Sequence, residues 1–370
     1  MGLRRITATD ALPRLAEFDA VIDARSESEH AEDRLPGAVN WPVLNDEERC
    51  LVGTEYKQIS PFDARKRGAA LVARNIARHV EAQVMAMPRS WRPLVYCWRG
   101  GQRSGSLALV LDQIGFAVHV LEGGYQAFRR AVIAELQTLP QRLDLRVLCG
   151  RTGSGKSRLL QVLRAQGAQV LDLEALACHR GSVLGLVPGR PQPTQKAFET
   201  LLWQALRGFD PARPVFAEGE SRTIGRLRLP EPLLERLRAA PCIAVELPLA
   251  QRVALLLADY GHFVADVESF CERLAVLREI RGAVVVEGWQ ARARAGHLAE
   301  VVEALLAQHY DPIYERSMAR NFAGYASAPV LALPDAEAEA LGRAAQQLIA
   351  AAAVPAAATA PAAATSAAAG

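Results

Sequence analysis

Lysine is scarce in this chain of 370 residues, where four stand against 39 arginines. So skewed a basic set reads first as coding bias, and no arginine marks a phosphate ligand by its type alone. Neither sign of charge is in excess, with 43 basic and 40 acidic side chains. A net charge of +3 excludes the overall basic field that advertises nucleic acid, so any RNA contact has to be local. The six cysteines (Cys50, Cys97, Cys149, Cys178, Cys242, Cys271) contain no CxxC pair and no close Cys/His cluster. That argues against a disulfide scaffold or a structural zinc site. Long apolar runs are missing too: the N-terminal MGLRRITATDALPRLAEF lacks a continuous apolar segment, and no run in the body approaches the roughly 20 residues of a membrane span. A cytoplasmic, reducing location without a membrane partner is the expectation.

What is present is ordinary globular material, 50% hydrophobic and 22% charged. At about 150 residues per domain the length suggests two or three domains. In the first 140 residues, Val21–Asp23, Leu94–Cys97 and Val118–Leu121 are short apolar runs followed by turn residues, the pattern of buried parallel strands. Between the last two, Leu107, Val110, Leu111 and Ile114 are spaced for one helical face. Pro140 and the polar segment after it suggest a boundary. The alternation restarts at Leu145–Cys149 and continues with an amphipathic helix (Leu159, Leu160, Leu163), a strand over Gln169–Leu173, and strands near Val215–Ala217 and Ile243–Leu247. The rest to about Ala350 reads mainly as helices. The resulting expectation is an α/β chain with a parallel-sheet domain over residues 1–140 and a second α/β domain with extra helices over 141–350. The Ala/Pro-rich tail over 351–370 is expected to be disordered.

Gly150-Arg-Thr152-Gly153-Ser154-Gly155-Lys156-Ser157 fits G-x-x-x-x-G-K-[ST], a spacing that chance produces in a chain of this size on the order of once in a hundred. It lies between an apolar strand and an amphipathic helix. There glycines let backbone N–H groups converge on phosphate oxygens, the helix N-terminus adds positive potential, Lys156 neutralises the outer phosphates and Ser157 is placed for a Mg2+ ligand. The motif specifies a diphosphate or triphosphate and not the organic group attached to it. Asp172 and Glu174 after one strand, and Glu218 and Glu220 after another, are candidate metal ligands or bases.

Cys97-Trp98-Arg99-Gly100-Gly101-Gln-Arg103-Ser104 follows a strand and opens a helix. As a bare C-x5-R string it carries nothing, since six cysteines in so arginine-rich a chain predict about 0.6 chance matches. Its position carries more: a thiol facing a helix N-terminus across two glycines, with Arg99 and Arg103 nearby, sits where a thiolate is favoured and a tetrahedral anion can bind.

With Asp23-Ala-Arg25-Ser26, Glu29-His30, Leu35-Pro-Gly-Ala-Val-Asn40 and Leu121-Glu-Gly-Gly-Tyr125, this loop makes residues 5–137 resemble the rhodanese domain. That resemblance implies chalcogen transfer through Cys97, with Asp23 and Arg25 bracing the fold. The loop is one residue longer than in typical sulfur-transferring rhodaneses and in this resembles rhodanese-like phosphatases, which suits a phosphate-bearing donor. A P-loop NTPase-like domain after a rhodanese domain, with Leu171-Asp-Leu-Glu174, His179-Arg180-Gly-Ser182, Gln192-Pro-Thr-Gln-Lys196, Phe198-Glu199 and Glu218-Gly-Glu-Ser-Arg222-Thr-Ile-Gly225, resembles the tRNA 2-selenouridine synthase family.

This second resemblance implies replacement of sulfur by selenium in 2-thiouridine at the tRNA wobble position. It implies geranyl diphosphate and selenophosphate as substrates, an S-geranyl intermediate, no tightly bound cofactor, and a selenophosphate-producing enzyme as a partner. The P-loop would then stabilise departing diphosphate, and Cys97 would take selenium with Arg99, Gly100, Gly101 and Arg103 around the anion. Trp98, His179, Arg180 and Arg222 are candidate tRNA or substrate contacts, as are the runs Arg65-Lys66-Arg67 and Arg222/Arg226/Arg228. Two rivals stand beside this reading: an ATP-dependent tRNA sulfurtransferase with a Cys97 persulfide, and a nucleotide-controlled binding module without activity.

Overall fold

Short, largely apolar strands have little solvent face and bury themselves between helices, and the strands at the centre of both sheets are built that way. The structure, a computed structural model, describes residues 3–353 apart from 182–184, 186–188 and 262–264. Two compact units form. The first takes the residues up to Arg142 with Leu173–Phe209 and Glu220–Arg236; the second takes Leu143–Asp172, Asp210–Gly219 and the residues from Leu237 on.

In the first unit, strands β1 (Arg4–Ile6), β2 (Ala20–Asp23), β3 (Val39–Asn40), β4 (Pro93–Tyr96) and β5 (His119–Leu121) form a parallel sheet in the order β1-β5-β4-β2-β3. The central β4 is buried at every residue and hands the chain directly to Cys97. The helix Gln102–Ile114 packs Leu107, Ala108 and Leu111 into the core beside Ile22 and Val95. Its buried stripe runs through Ser104, Leu107, Ala108 and Leu111, so Val110 and Ile114, which the spacing put on the apolar face, are exposed. A charged pair also sits in this interior: Arg25 reaches both oxygens of Asp23, the shorter contact being 2.6 Å, with both side chains fully buried. Burial pushes the Asp23 carboxyl upward, but the hydrogen bonds from His30 and Arg25 outweigh it and hold the group below its ordinary range.

The second unit opens with β6 (Leu145–Cys149), β7 (Gln169–Leu171) and β8 (Val215–Glu218). A small antiparallel ladder follows, β9 (Thr223–Ile224) with β10 (Leu227–Arg228), which belongs to the first unit. Strands β11 (Cys242–Glu246) and β12 (Val330–Ala332) complete the second sheet, all parallel in the order β12-β11-β6-β8-β7. The expected strand over Gln169–Leu173 ends at Leu171, because Leu173 already begins the helix Leu173–Ala177. Strand β12 interrupts a region expected to be mainly helical. The last helix, Ala338–Ala353, runs three residues past the expected start of the tail; residues 354–370 lie outside the described residues. Among the described residues no helix is long and apolar enough to cross a membrane.

Candidate functional site

In the first unit the cysteine loop is compressed between the ends of β4 and β5. Gly124 takes a left-handed φ of +55°, and a Cβ placed on it would stand 2.1 Å from the Cys97 carbonyl oxygen and 2.5 Å from Gly100 N. Gly100, at φ +66°, leaves as little room, with Leu121 O 2.6 Å from its own Cβ position. Only glycine fits either place. The helix Gly124–Thr138 then donates its first N–H groups back to the loop, Tyr125 N to Cys97 O at 2.8 Å and Gln126 N to Trp98 O at 3.1 Å.

Cys97 itself is 3% exposed. The Ser104 hydroxyl lies 3.1 Å from its Sγ and 3.3 Å from Gly101 O. Arg103 gives N–H groups to both oxygens of Glu29, at 2.6 and 3.3 Å, and Arg49 reaches the same carboxylate at 3.0 Å. Burial works against ionised Glu29, yet the two arginines hold its carboxyl below the ordinary range. Arg99 and Gly101 are exposed, and Gly100 is half-buried. Trp98 stacks on Tyr125 with ring centroids 5.3 Å apart and planes at 29°, and the Arg25 guanidinium lies 4.1 Å from the Tyr125 ring centre. Tyr125 donates to Asp33 Oδ2 at 2.8 Å, and Thr200, from the helix Gln195–Arg207, donates to the same oxygen at 3.0 Å. Burial raises the Asp33 carboxyl despite these donors.

The remaining candidates in this unit lie apart from the thiol in sequence. His179 is buried, its Nδ1 accepts from Gly181 N–H at 3.1 Å so that the neutral ring carries its proton on Nε2, and burial lowers its affinity for a second proton. Arg180 is half-buried with its backbone N–H on Gly185 O at 2.8 Å; Ser182, quoted with it, lies outside the described residues. Glu174 and Glu220 converge on Gly181, whose Cβ position is 2.7 Å from one carboxylate and 3.0 Å from the other. Arg222 is exposed and pairs with Glu231 at 2.9 Å, Lys66 pairs with Asp63 at 2.6 Å and Arg67 with Glu55 at 2.9 Å.

In the second unit the phosphate loop leaves β6 at Gly150 and enters the helix Lys156–Ala165, with Gly153 and Gly155 at φ +78° and +84°. The left-handed glycines turn the chain into the helix, with Ser154 N–H closing the turn on Arg151 O at 3.1 Å. Lys156 Nζ donates to Gly150 O at 2.5 Å and lies 3.3 Å from Arg151 O, so the ammonium is folded over the loop mouth. Ser154 is buried, whereas Thr152 and Ser157 are half-buried. Glu218 ends β8 in register with Leu148, two residues before Gly150, and is 1% exposed. Asp172 follows β7, also buried, with Arg164 at 3.8 Å. Among the described residues no group of three His, Cys, Asp or Glu side chains is placed to hold a metal.

Three residues near the start of the helix Asp311–Asn321 brace the loop from a segment that the motif does not reveal. Tyr314 Oη accepts from Gly150 N–H at 2.5 Å, and the Lys156 ammonium lies 5.6 Å from its ring centre. Glu315 pairs with Arg151, and Asp311 holds Arg252, which donates to Thr152 O at 2.9 Å. The bond between Gly150 and Tyr314 joins residues 164 positions apart. Nothing local in the sequence connects them.

Two family models match: a rhodanese-like domain over residues 7–131, and the AAA domain of tRNA 2-selenouridine synthase over 143–275. A tRNA 2-selenouridine synthase of Alcanivorax borkumensis is 34% identical over 333 residues, covering 81% of this chain and 90% of the relative. Proteins of the same name from Sulfurovum sp. and Salmonella typhi are each 32% identical over 350 residues, covering 84% and 86% of this chain and 94% of either relative.

Proposed function

Because the chain belongs to the tRNA 2-selenouridine synthase family, we propose that it replaces sulfur by selenium in 2-thiouridine at the wobble position of tRNA, through an S-geranyl intermediate. What supports the reading is a pair of glycine loops of different chemistry, each suited to an anion, one with Lys156 on the Gly150 carbonyl and one beside the thiol of Cys97.

In the first step the thiocarbonyl sulfur attacks the allylic carbon of geranyl diphosphate. A carbon–sulfur bond forms, the carbon–oxygen bond breaks, and the proton on the uridine ring nitrogen is lost. Lys156 and the N-terminus of the helix Lys156–Ala165 stabilise the charge gathering on the departing diphosphate. Ser157 and the buried Glu218 are the oxygen donors that suit Mg2+, which binds through few protein ligands and substrate phosphates and would supply further charge neutralisation. The alkylated sulfur then leaves as a thiol, which the thiocarbonyl could not do.

In the second step selenide derived from selenophosphate adds to C2 of the uridine and geranylthiol departs. The cysteine loop holds the donor, with Arg103 oriented by Glu29 and the N-terminus of the helix Gln102–Ile114 directed at the anion. Trp98, half-buried on Tyr125, presents an aromatic face beside the thiol for the wobble base. An enzyme that makes selenophosphate has to supply the donor.

The test is product stoichiometry. With thiolated tRNA and geranyl diphosphate, the reading expects one diphosphate released per S-geranyl base and no ATP consumed. ATP hydrolysed one-for-one with base modification would overturn it.

A further inference from the structure

Electron bookkeeping at the cysteine loop excludes the simplest role for Cys97. In selenophosphate the selenium is already at the oxidation level of selenide and phosphorus is at its highest. Were the Cys97 thiolate to take selenium and form a sulfur–selenium bond, the phosphorus–selenium electron pair would have to stay on phosphorus. Phosphorus would be reduced by two electrons, and two electrons would be needed again to deliver selenide to the base. The reaction supplies no such redox partner.

The loop supports a balanced alternative, and it rests on the functional reading above. We propose that Cys97 attacks phosphorus rather than selenium, so that the protein passes through a phosphorylated Cys97 and releases hydrogen selenide beside the tRNA base. The sulfur–phosphorus bond forms as the phosphorus–selenium bond breaks; selenide leaves with the electron pair and takes a proton. Water then attacks phosphorus, the sulfur–phosphorus bond breaks, inorganic phosphate departs and the thiolate is restored. Neither selenium nor phosphorus changes oxidation level.

Three features fit this chemistry. Arg103 spends one N–H of each terminal nitrogen on Glu29, so three of the five guanidinium N–H groups remain for the equatorial oxygens of a phosphoryl group. Gly100, at φ +66°, and the start of the helix Gln102–Ile114 lie in the same loop, and a left-handed glycine before a helix N-terminus is backbone geometry that suits an anion. The third is Ser104, fully buried between Cys97 Sγ at 3.1 Å and Gly101 O at 3.3 Å. Its one hydroxyl proton can serve either neighbour. Facing Sγ, it stabilises the thiolate, which is the nucleophile in the first half-reaction and the leaving group in the second. While sulfur is bonded to phosphorus it can turn to Gly101 O. Ser104 is thereby a catalytic residue for breaking the sulfur–phosphorus bond, and Glu29 is a positioning residue for Arg103.

The experiment uses the full chain and 18O-labelled inorganic phosphate, without tRNA, geranyl diphosphate or selenophosphate. Reversible formation of the phosphorylated cysteine exchanges phosphate oxygen with water, so the wild-type chain is expected to wash out the label. Cys97→Ser, nearly the same shape, should lower the rate by roughly a hundredfold or more. Ser104→Ala should lower it by about ten- to a hundredfold, the loss of a hydrogen bond to a charged sulfur. Should either variant fail to fold, alkylation of Cys97 in the wild-type chain must abolish the exchange, and phosphate must slow that alkylation. Acid-quenched protein given selenophosphate should carry a phosphoryl group on Cys97. The nearly isobaric selenium adduct is told apart by its isotope pattern.

No washout by the wild-type chain, washout that survives loss of Cys97, or a selenium adduct on Cys97 would each overturn the inference. Selenouridine formed without exchange or phosphoryl adduct overturns it alone. Exchange through Cys97 in a chain that converts no tRNA overturns the functional reading and supports the phosphorylated cysteine.

Discussion

Gly124 approaches Cys97 so closely that a Cβ on it would stand 2.1 Å from the Cys97 carbonyl oxygen. The turn after β5 is therefore the mould for the loop after β4, although the two are far apart in the chain. Gly124→Ala must push that carbonyl away or leave the left-handed turn. Selenation of pre-geranylated tRNA is expected to fall by roughly a hundredfold, as a displacement of about 1 Å at a reacting group does. Geranylation, which we propose takes place in the second unit, should change little. Selenation at the wild-type rate, measured by nucleoside mass spectrometry, would show that the loop tolerates the displacement.

Arg25→Ala tests the buried charge pair. It leaves ionised Asp23 without the partner that approaches it at 2.6 Å, and removing one member of such a pair costs about 3–5 kcal/mol. Denaturant unfolding should show that loss, and Asp23→Ala/Arg25→Ala should recover part of it. A double variant no more stable than the single would contradict the pairing.

The same pair sets an acid limit. A carboxyl held below its ordinary range in the folded chain contributes stability above its unfolded pKa, about 3.9 for aspartate, and loses it as pH falls toward the folded value. Asp23 is such a group, through His30 and Arg25. Asp33 has the opposite sign, because burial raises its carboxyl; its contribution is present in acid and lost as pH rises above the unfolded value. Unfolding of wild type and Asp33→Asn should therefore diverge as pH rises from 4 to 7 (about the span from the unfolded pKa to neutrality), the variant losing less. Parallel curves would show that Asp33 carries no such penalty.

Tyr314→Phe removes the acceptor of the Gly150 N–H while keeping the ring beside Lys156. The orphaned N–H costs about 1–3 kcal/mol if water does not replace the phenol. Expected is a several-fold rise in KM for geranyl diphosphate with selenation of pre-geranylated tRNA unchanged. An unchanged KM would remove Tyr314 from the account of the loop.

Strands β2, β4, β5, β6, β8 and β11 were legible in sequence because central parallel strands read as uninterrupted apolar runs. Of the edge strands β7 was legible apart from its end, but β1, β3 and β12 were not. β1 is Arg-Arg-Ile and β3 is two residues, and each gains its identity from the neighbour it pairs with rather than from its own pattern. The two glycine loops were legible for the opposite reason: glycine spacing and a strand-to-helix junction are local signals. What braces them was hidden. Tyr314 on Gly150, Thr200 on Asp33 and Glu29 on Arg103 are contacts between distant segments, and no spacing rule reaches them.

The central claim is that two separate cradles divide the chemistry, and one paired assay addresses it. Lys156→Ala and Cys97→Ala are each given thiolated tRNA with geranyl diphosphate, and separately S-geranylated tRNA with selenophosphate, with nucleosides read by mass spectrometry. The account predicts that Lys156→Ala fails only in the first assay and Cys97→Ala only in the second. Equal losses of both variants in both assays would contradict it.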